Sequence, residues 1–429
     1  MSLEEAAEPE TEIARVATAP AHNPYAALRL PDFRLYLAGN AIAIFGMQMQ
    51  TVAVGWEIYE RTREPLDLGL VGLVQFLPVA ALILPAGHVA DRVNRKLVIM
   101  ASIFSLACCS VGLACISAYQ GAVFWMYACL LASGVARAFL QPAKSSFLPT
   151  IVPREHFTTA VTWNMGAFQL ASVLGPAAGG FMIAWLKRAS TVYLVDAAAA
   201  LCFFALLALI RGPRQAPARE PVRWRTFLVG AEFVWRNKVI LGAMTLDMFA
   251  VLLGGAVALL PAYSKDILKV GPTGLGWMQA APAIGALLTS FVLAHRPPIQ
   301  RAGPILMWMV AGFGAATIVF GFSRSFALSL AMLFLTGAFD IVSVVIRHTL
   351  VQLLTPDEMR GRVSAVNGMF IGASNELGRF ESGLVASWFG PVFSVVSGGA
   401  GTILVVMAVA TLWPQLARYG RLDETTSEQ

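Results

Sequence analysis

Along most of this chain apolar residues do not alternate with polar ones; they run on. Apolar stretches of about 20 residues, the length of a helix that crosses a bilayer, recur twelve times. They lie at 35–59, 68–90, 97–118, 122–147, 159–186, 190–210, 239–263, 272–294, 303–322, 326–353, 364–388 and 391–413. Polar residues gather in the loops between them. In lipid a single segment can satisfy its backbone hydrogen bonds only as a helix. The pattern therefore predicts an all-α membrane protein of twelve transmembrane helices, numbered here spans 1 to 12, with both chain ends on one side.

One loop, 211–238, is longer than the rest. It opens Arg211-Gly212-Pro213 and continues through Pro217 and Pro221, which predicts a non-helical exit from the membrane. Val222, Trp224, Phe227, Leu228, Ala231, Val234 and Trp235 then recur at helical spacing, with Arg223, Arg225 and Arg236 between them. That predicts an amphipathic helix lying on the membrane surface. The organisation read from this is a tail at 1–33, a six-helix bundle at 34–210, the linker at 211–238, a second six-helix bundle at 239–413 and a tail at 414–429. The first tail is acidic, with Glu4, Glu5, Glu8, Glu10 and Glu12, and has no apolar core of a signal peptide. It reads as disordered.

The bundles repeat each other. A shift of 203 residues lays 153–185 on 356–388 and matches Pro153 with Pro356, Glu155 with Glu358, Asn164 with Asn367, Leu174 with Leu377, Gly175 with Gly378, Gly180 with Gly383 and Trp185 with Trp388. Self-similarity at a fixed offset predicts two pseudo-symmetric halves.

Composition agrees. The chain is 57% hydrophobic and 13% charged, against about 45–50% and about 25% in soluble domains. Of the Lys and Arg residues, 20 fall in loops on the side of the termini and 7 on the other. The positive-inside rule then predicts cytoplasmic N- and C-termini. The net charge of +6 is spread over short loops, so no nucleic-acid partner is expected. The five cysteines lie inside apolar runs without a C-x-x-C, which points away from disulfides and zinc. No phosphate-binding glycine loop, H-E-x-x-H or G-x-S-x-G occurs. The expectation is no enzyme, no cofactor, no metal and no catalytic residue; work comes from a gradient.

Ionisable side chains inside spans cost about 2.5–3.5 kcal/mol each on insertion scales, and this chain keeps several. Arg137 and Lys144 stand seven apart, on one face of span 4. The 203-residue shift carries them onto Asp340 and Arg347 of span 10, which predicts a cation in one half opposite an anion in the other. Span 7 adds Asp247. Span 11 adds Glu376, Arg379 and Glu381, of which Glu376 and Arg379 can neutralise each other at i and i+3. Asp196 lies in span 6. Pro78, Pro85, Pro142, Pro261 and Pro282 are expected to kink their helices.

Between spans 2 and 3 stands Gly87-His88-Val89-Ala90-Asp91-Arg92-Val93-Asn94-Arg95-Lys96. Gly87 permits two helices to approach closely. Asp91 ends a helix whose dipole disfavours an anion, so it needs a partner from elsewhere. Arg92, Arg95 and Lys96 hold the loop on the cytoplasmic side. The spacing G-x-x-x-D-R-x-x-R-K resembles the loop signature of the major facilitator superfamily. Leu246 to Gly255, Arg137-Ala138-Phe139 with Pro142-Ala143, and Asn375 to Gly378 look like its bacterial subgroup of siderophore and macrolide exporters. The resemblance spans about residues 30–415.

It implies a monomeric secondary transporter of a bacterial inner membrane that exports a small amphiphilic molecule against protons by alternating access. Uptake by symport, lipid translocation, and a non-transporting scaffold or sensor are the alternatives. Spans 1, 4, 7 and 10 would line the cavity. Asp247, Asp340 and Glu376 are then the proton-coupling candidates, with Arg137, Lys144, Arg347 and Arg379 as charge partners. Gly87, Asp91, Arg92, Arg95 and Lys96 would form a cytoplasmic gate. Phe139, Gln141, Trp163, Asn164 and Phe249 are candidates for contact with substrate. Similar sequences carry an acid at Arg379 and an Arg near Ser172, two departures that bear on the coupling ion.

Overall fold

The computed structural model describes residues 25–211, 224–297 and 299–420. The first six spans are helices α1 (Pro31–Thr62), α2 (Pro65–Arg92), α3 (Arg95–Ala118), α4 (Val123–Ile151), α5 (Phe157–Leu186) and α6 (Ser190–Leu209). The second six are α7 (Lys238–Leu253), α8 (Gly271–Ala294), α9 (Ala302–Phe322), α10 (Phe326–Leu354), α11 (Arg360–Phe389) and α12 (Pro391–Leu412). Proline opens α1, α2, α8 and α12 within their first two positions, where its missing N–H and fixed φ cost nothing. Asn94 caps α3 by accepting from the Lys96 amide at 3.0 Å. Asn237 caps α7 by accepting from the amides of Val239 and Ile240.

Eleven of the described helical segments have the length and hydropathy of a span. The twelfth, α11, is less apolar because it carries Arg360, Arg362, Glu376, Arg379 and Glu381. Span 7 departs from the continuous helix expected over 239–263. It breaks at Gly254-Gly255 and resumes as a 3₁₀ turn (Ala256–Leu259), a short helix (Leu260–Ala262) and a π turn (Tyr263–Ile267). The break follows from close packing. A Cβ on Gly255 would stand 2.5 Å from the Gly378 carbonyl oxygen of α11.

The two halves are wired alike. α1 packs on α5 and α6, α2 on α4, and α3 on α4 and α6; likewise α7 packs on α11 and α12, α8 on α10, and α9 on α10 and α12. The halves meet along two equivalent seams, α2 against α11 and α5 against α8. This is a parallel repeat about an axis along the membrane normal. The linker helix (Trp224–Arg236) packs on α11. Gly230 abuts the backbone of Arg362, and Val234 joins an apolar cluster with Met244, Val351 and Val363. The linker residues 212–223 and the tail residues 1–24 and 421–429 lie outside the described residues.

Glycines show where the halves touch. On the side away from the termini (the far side), a Cβ on Gly180 of α5 would stand 2.3 Å from the Pro272 oxygen of α8. One on Gly383 of α11 would stand 2.8 Å from Gly69 Cα of α2. On the terminal side, positions Gly166, Gly361, Gly368 and Gly372 have nothing within 4 Å among the described residues. The far side is closed and the terminal side is open.

Candidate functional site

Asp247 of α7 and Arg347 of α10 form an ion pair, each side chain 8% exposed. Arg347 Nε also donates to Ser343 Oγ at 3.3 Å. Seven residues along the same face of α10, Asp340 is exposed and makes no ion pair within 4 Å among the described residues. Asp247, Asp340 and Ser343 border a small cavity of about 20 Å³ with Phe313 and Phe339. A second cavity, of about 210 Å³, is bounded by Asp340, Thr336, Asn375 and Arg379. Asp340 thus stands between two spaces, under the field of Arg347 and Asp247. Glu376 pairs with Arg379 at 3.4 Å on α11. Its Oε2 lies against Gly72 of α2, 2.8 Å from where a Cβ would be.

The cations of α4 take other partners than the repeat predicts. Arg137 Nη1 donates to Gln75 Oε1 of α2 at 2.9 Å, and its Nε has no acceptor among the described residues. The acids within its electrostatic reach are Asp196 and Glu376, not Asp340. The side chain thus meets α2 rather than α10. Among the described residues Lys144 meets no acid. It donates to Asn40 Oδ1 of α1 and lies 5.6 Å from the centre of the Phe203 ring. Asn40 Nδ2 in turn donates to Asn164 Oδ1 of α5 at 2.8 Å.

The five residues expected to touch substrate do not share one environment. Gln141 and Phe249 are exposed. Phe139 and Trp163 pack against the apolar core of the first half, and Trp163 lies 6.0 Å from the Tyr25 ring. Asn164 is held by Asn40. Ser172 accepts from Gln48 Nε2 at 3.0 Å, while Arg379 pairs with Glu376; the two departures from similar sequences thus have separate partners.

In the loop motif, Lys96 Nζ donates to the carbonyls of Ala208 and Ile210 at 2.9 and 2.7 Å. It satisfies the end of α6, where cations are favoured. Arg95 Nη1 donates to the Ser146 carbonyl of α4 at 3.4 Å, and Arg92 is exposed. The close approach expected at Gly87 is not made: among the described residues nothing lies within 4 Å of its would-be Cβ. The Asp91 side chain lies outside the described residues.

The sequence reading missed the far-side lock. Asp266, in the π turn of span 7, accepts from Tyr59 OH at 2.5 Å and from Arg63 Nη1 at 2.9 Å, both from the first half. Lys265 Nζ donates to Glu60 Oε1 at 3.1 Å and lies over the Trp56 ring. The available signal was the presence of acid–base clusters in corresponding loops, Glu60 to Glu64 and Lys265 to Lys269. Exposed pairs are worth about 0.2–1 kcal/mol each. Asp266→Asn is therefore expected to raise labelling of a far-side cysteine at Ala262, buried in this form, by roughly two- to fivefold. Unchanged labelling would remove the lock.

Comparison with known proteins places this geometry. The sequence profile of the Major Facilitator Superfamily matches residues 36–373. The enterobactin exporter EntS of Escherichia coli O1:K1 / APEC is 25% identical over 399 residues, 91% of this chain and 93% of that protein. EntS of Shigella boydii serotype 18 matches to the same extent. A bacterial homologue of the human lysosomal transporter Spinster, solved in an inward-facing and occupied conformation, superposes with TM-score 0.69 at 15% identity, over 92% of this chain and 98% of that one. A POT family transporter in complex with 5-aminolevulinic acid gives TM-score 0.71 at 9% identity, over 90% and 96%. At these identities the two structures speak for the fold alone.

Proposed function

Because the chain belongs to the major facilitator superfamily, we propose that this many-span membrane transporter exports a small amphiphilic molecule across a bacterial inner membrane in exchange for protons. It is a carrier and not an enzyme. The observation that carries the proton reading is Asp340, an exposed acid without an ion pair among the described residues, between two cavities and beside the buried Asp247–Arg347 pair. A carboxyl that reaches water only through an alternating cavity takes up a proton on one side and releases it on the other.

Export is supported by relatives whose names are those of exporters and whose match runs nearly end to end. The Lys and Arg bias supports cytoplasmic termini. With that orientation the open terminal side is cytoplasmic, where an exporter loads. The residues that border the two cavities all come from the second half of one chain, and the monomer is taken as the working unit.

Asp340→Asn tests the reading. Asp340 has no ion-pair partner among the described residues, so the variant is expected at wild-type abundance. Proton-driven accumulation of siderophores, macrolides or dyes in inverted vesicles should fall roughly 5- to 150-fold. Downhill exchange should persist. Wild-type uphill transport by the variant would exclude Asp340, and wild-type vesicles that carry none of these compounds against a proton gradient would exclude the antiport itself.

A further inference from the structure

A second set of buried polar groups runs through the first bundle, away from the acids of α7 and α10. Between α1, α3 and α6, Asp196 is 7% exposed and accepts from Ser110 Oγ at 2.6 Å. Ser110 accepts from Gln50 Nε2 at 2.8 Å. Among the described residues no cation lies within ion-pair distance of Asp196. Its Oδ1 lies against Gly46 of α1, 2.9 Å from where a Cβ would be, so the helices leave no room for one on that side.

Toward the far side the polar groups continue. Gln50, Glu57 and Arg61 stand seven and four residues apart, on one face of α1. Tyr193, one turn from Asp196 on α6, donates to Glu57 Oε2 at 2.8 Å. Glu57 and Arg61 are ion-paired and border an open far-side hollow of about 780 Å³. Toward the centre of the membrane, Arg137 is the cation whose field reaches Asp196. Arg137 also lies in the field of the Glu376–Arg379 pair of α11, attracted by the first and opposed by the second; Glu376 lies on the α2–α11 seam that closes the far side. A helix clamp would need only hydroxyls and amides here. A carboxylate without an ion-paired cation adds the cost of a buried charge.

We propose that Asp196 is a proton-binding site of the transport cycle, approached from the far-side hollow along Glu57 and Tyr193 and read by Arg137 at the α2–α11 seam. This rests on the proton-coupled reading above and adds a site in the first half to the one at Asp340. When Asp196 is ionised, it shares Arg137 with Glu376. When a proton binds its carboxylate, Arg137 is left to Glu376, the seam tightens and the far side shuts. The proton then leaves past Arg137 and Gln75 toward the terminal-side cavity. In the far-closed form Arg61, bound to Glu57 and to the carbonyls of Gly121 and Ser117, plugs the outer approach.

The groups that bear on the charge of Asp196 are Ser110 of α3, which donates to it, and Arg137 of α4; Glu57 with Arg61 on α1, and Tyr193 on its own helix, stand toward the far side. From α3, Cys109 faces Arg137, and the only charged residues of that helix, Arg95 and Lys96, sit at its terminal end. α5 has no Asp, Glu, Lys or Arg.

The test follows far-side closure against pH. Spin labels at Glu64→Cys and Lys269→Cys, on opposite halves, are introduced into the full chain with its native cysteines replaced by alanine, in lipid nanodiscs. Wild type is expected to shift toward the long far-open distance as pH rises. Asp196→Asn should hold the short distance at every pH. Ser110→Ala keeps the carboxyl but removes the donor that favours its ionised form, so the midpoint should move to higher pH. This variant decides the matter if Asp196→Asn does not fold, because a structural clamp would not shift a midpoint. A wild-type pH response in Asp196→Asn, or an unmoved midpoint in Ser110→Ala, overturns the assignment. If Asp340→Asn alone abolishes the response, proton coupling stands and this site falls. If wild type does not respond to pH, both readings fall.

Discussion

Gly383→Val is expected to leave the far side unable to close. At this position α11 runs against α2 with no side chain between them. A Cβ would stand 2.8 Å from Gly69 Cα, 2.9 Å from Gly69 N and 3.0 Å from the Pro65 oxygen. All three are backbone atoms, so no rotamer change relieves the contact and only separation of the halves does. Overpacking of this kind costs about 1–3 kcal/mol. Only the far-closed form carries that cost, so the closed-to-open ratio should fall roughly 5- to 150-fold. Leu68, 5% exposed and packed with Tyr59 and Ala262 at the far side, supplies the readout. A cysteine there should label slowly in wild type and rapidly in Gly383→Val, and transport should drop with it. Gly180→Val should act alike at the α5–α8 seam, where the would-be Cβ lies 2.3 Å from the Pro272 oxygen. Slow labelling with undiminished transport would mean that the seams are not what closes the molecule.

The second large effect concerns the ion pair. Asp247→Asn leaves the Arg347 guanidinium buried without its anion, and breaking a buried pair by removing one member destabilises by about 3–5 kcal/mol. The expected result is a marked loss of folded protein in the membrane and a lower melting temperature in detergent. Asp247→Leu with Arg347→Met should recover abundance, because an apolar pair of similar volume avoids the desolvation of both charges. Asp340→Asn should leave abundance untouched. These contrasting outcomes separate a residue that holds α7 to α10 from one that carries the proton. Normal abundance of Asp247→Asn, with loss of proton coupling alone, would make Asp247 the carrier.

Much of the architecture was legible in the residues because it rests on local rules. Runs of apolar side chains admit only helices in lipid, and the count of runs gives the spans. The identities Gly175/Gly378 and Gly180/Gly383 were visible across the repeat, and the structure gives their cause. Gly175 meets Gln48 and Phe45 of α1, and Gly378 meets Val251 and Leu252 of α7; Gly180 meets α8 and Gly383 meets α2. Each glycine lies where two helices approach too closely for any side chain, so both copies keep it. The pairing of Glu376 with Arg379 is of the same kind, because i,i+3 neighbours on a helix meet whatever surrounds them.

What lay beyond the sequence depends on how the two bundles sit against each other. Periodicity marked span 7 as one helix, but its break at Gly254-Gly255 is set by the approach of α11 and α12. The repeat suggested Arg137 opposite Asp340; the side chain instead meets Gln75 and the field of Asp196 and Glu376. Lys144, read as a partner for an acid, ties α4 to Asn40. The lock of Tyr59 and Arg63 on Asp266, and of Glu60 on Lys265, joins residues 203 to 207 positions apart. Helical spacing determines which side chains share a face of one helix. Which face then meets which, and on which side of the membrane the halves close, is decided by packing between bundles, and that exists only once both are folded.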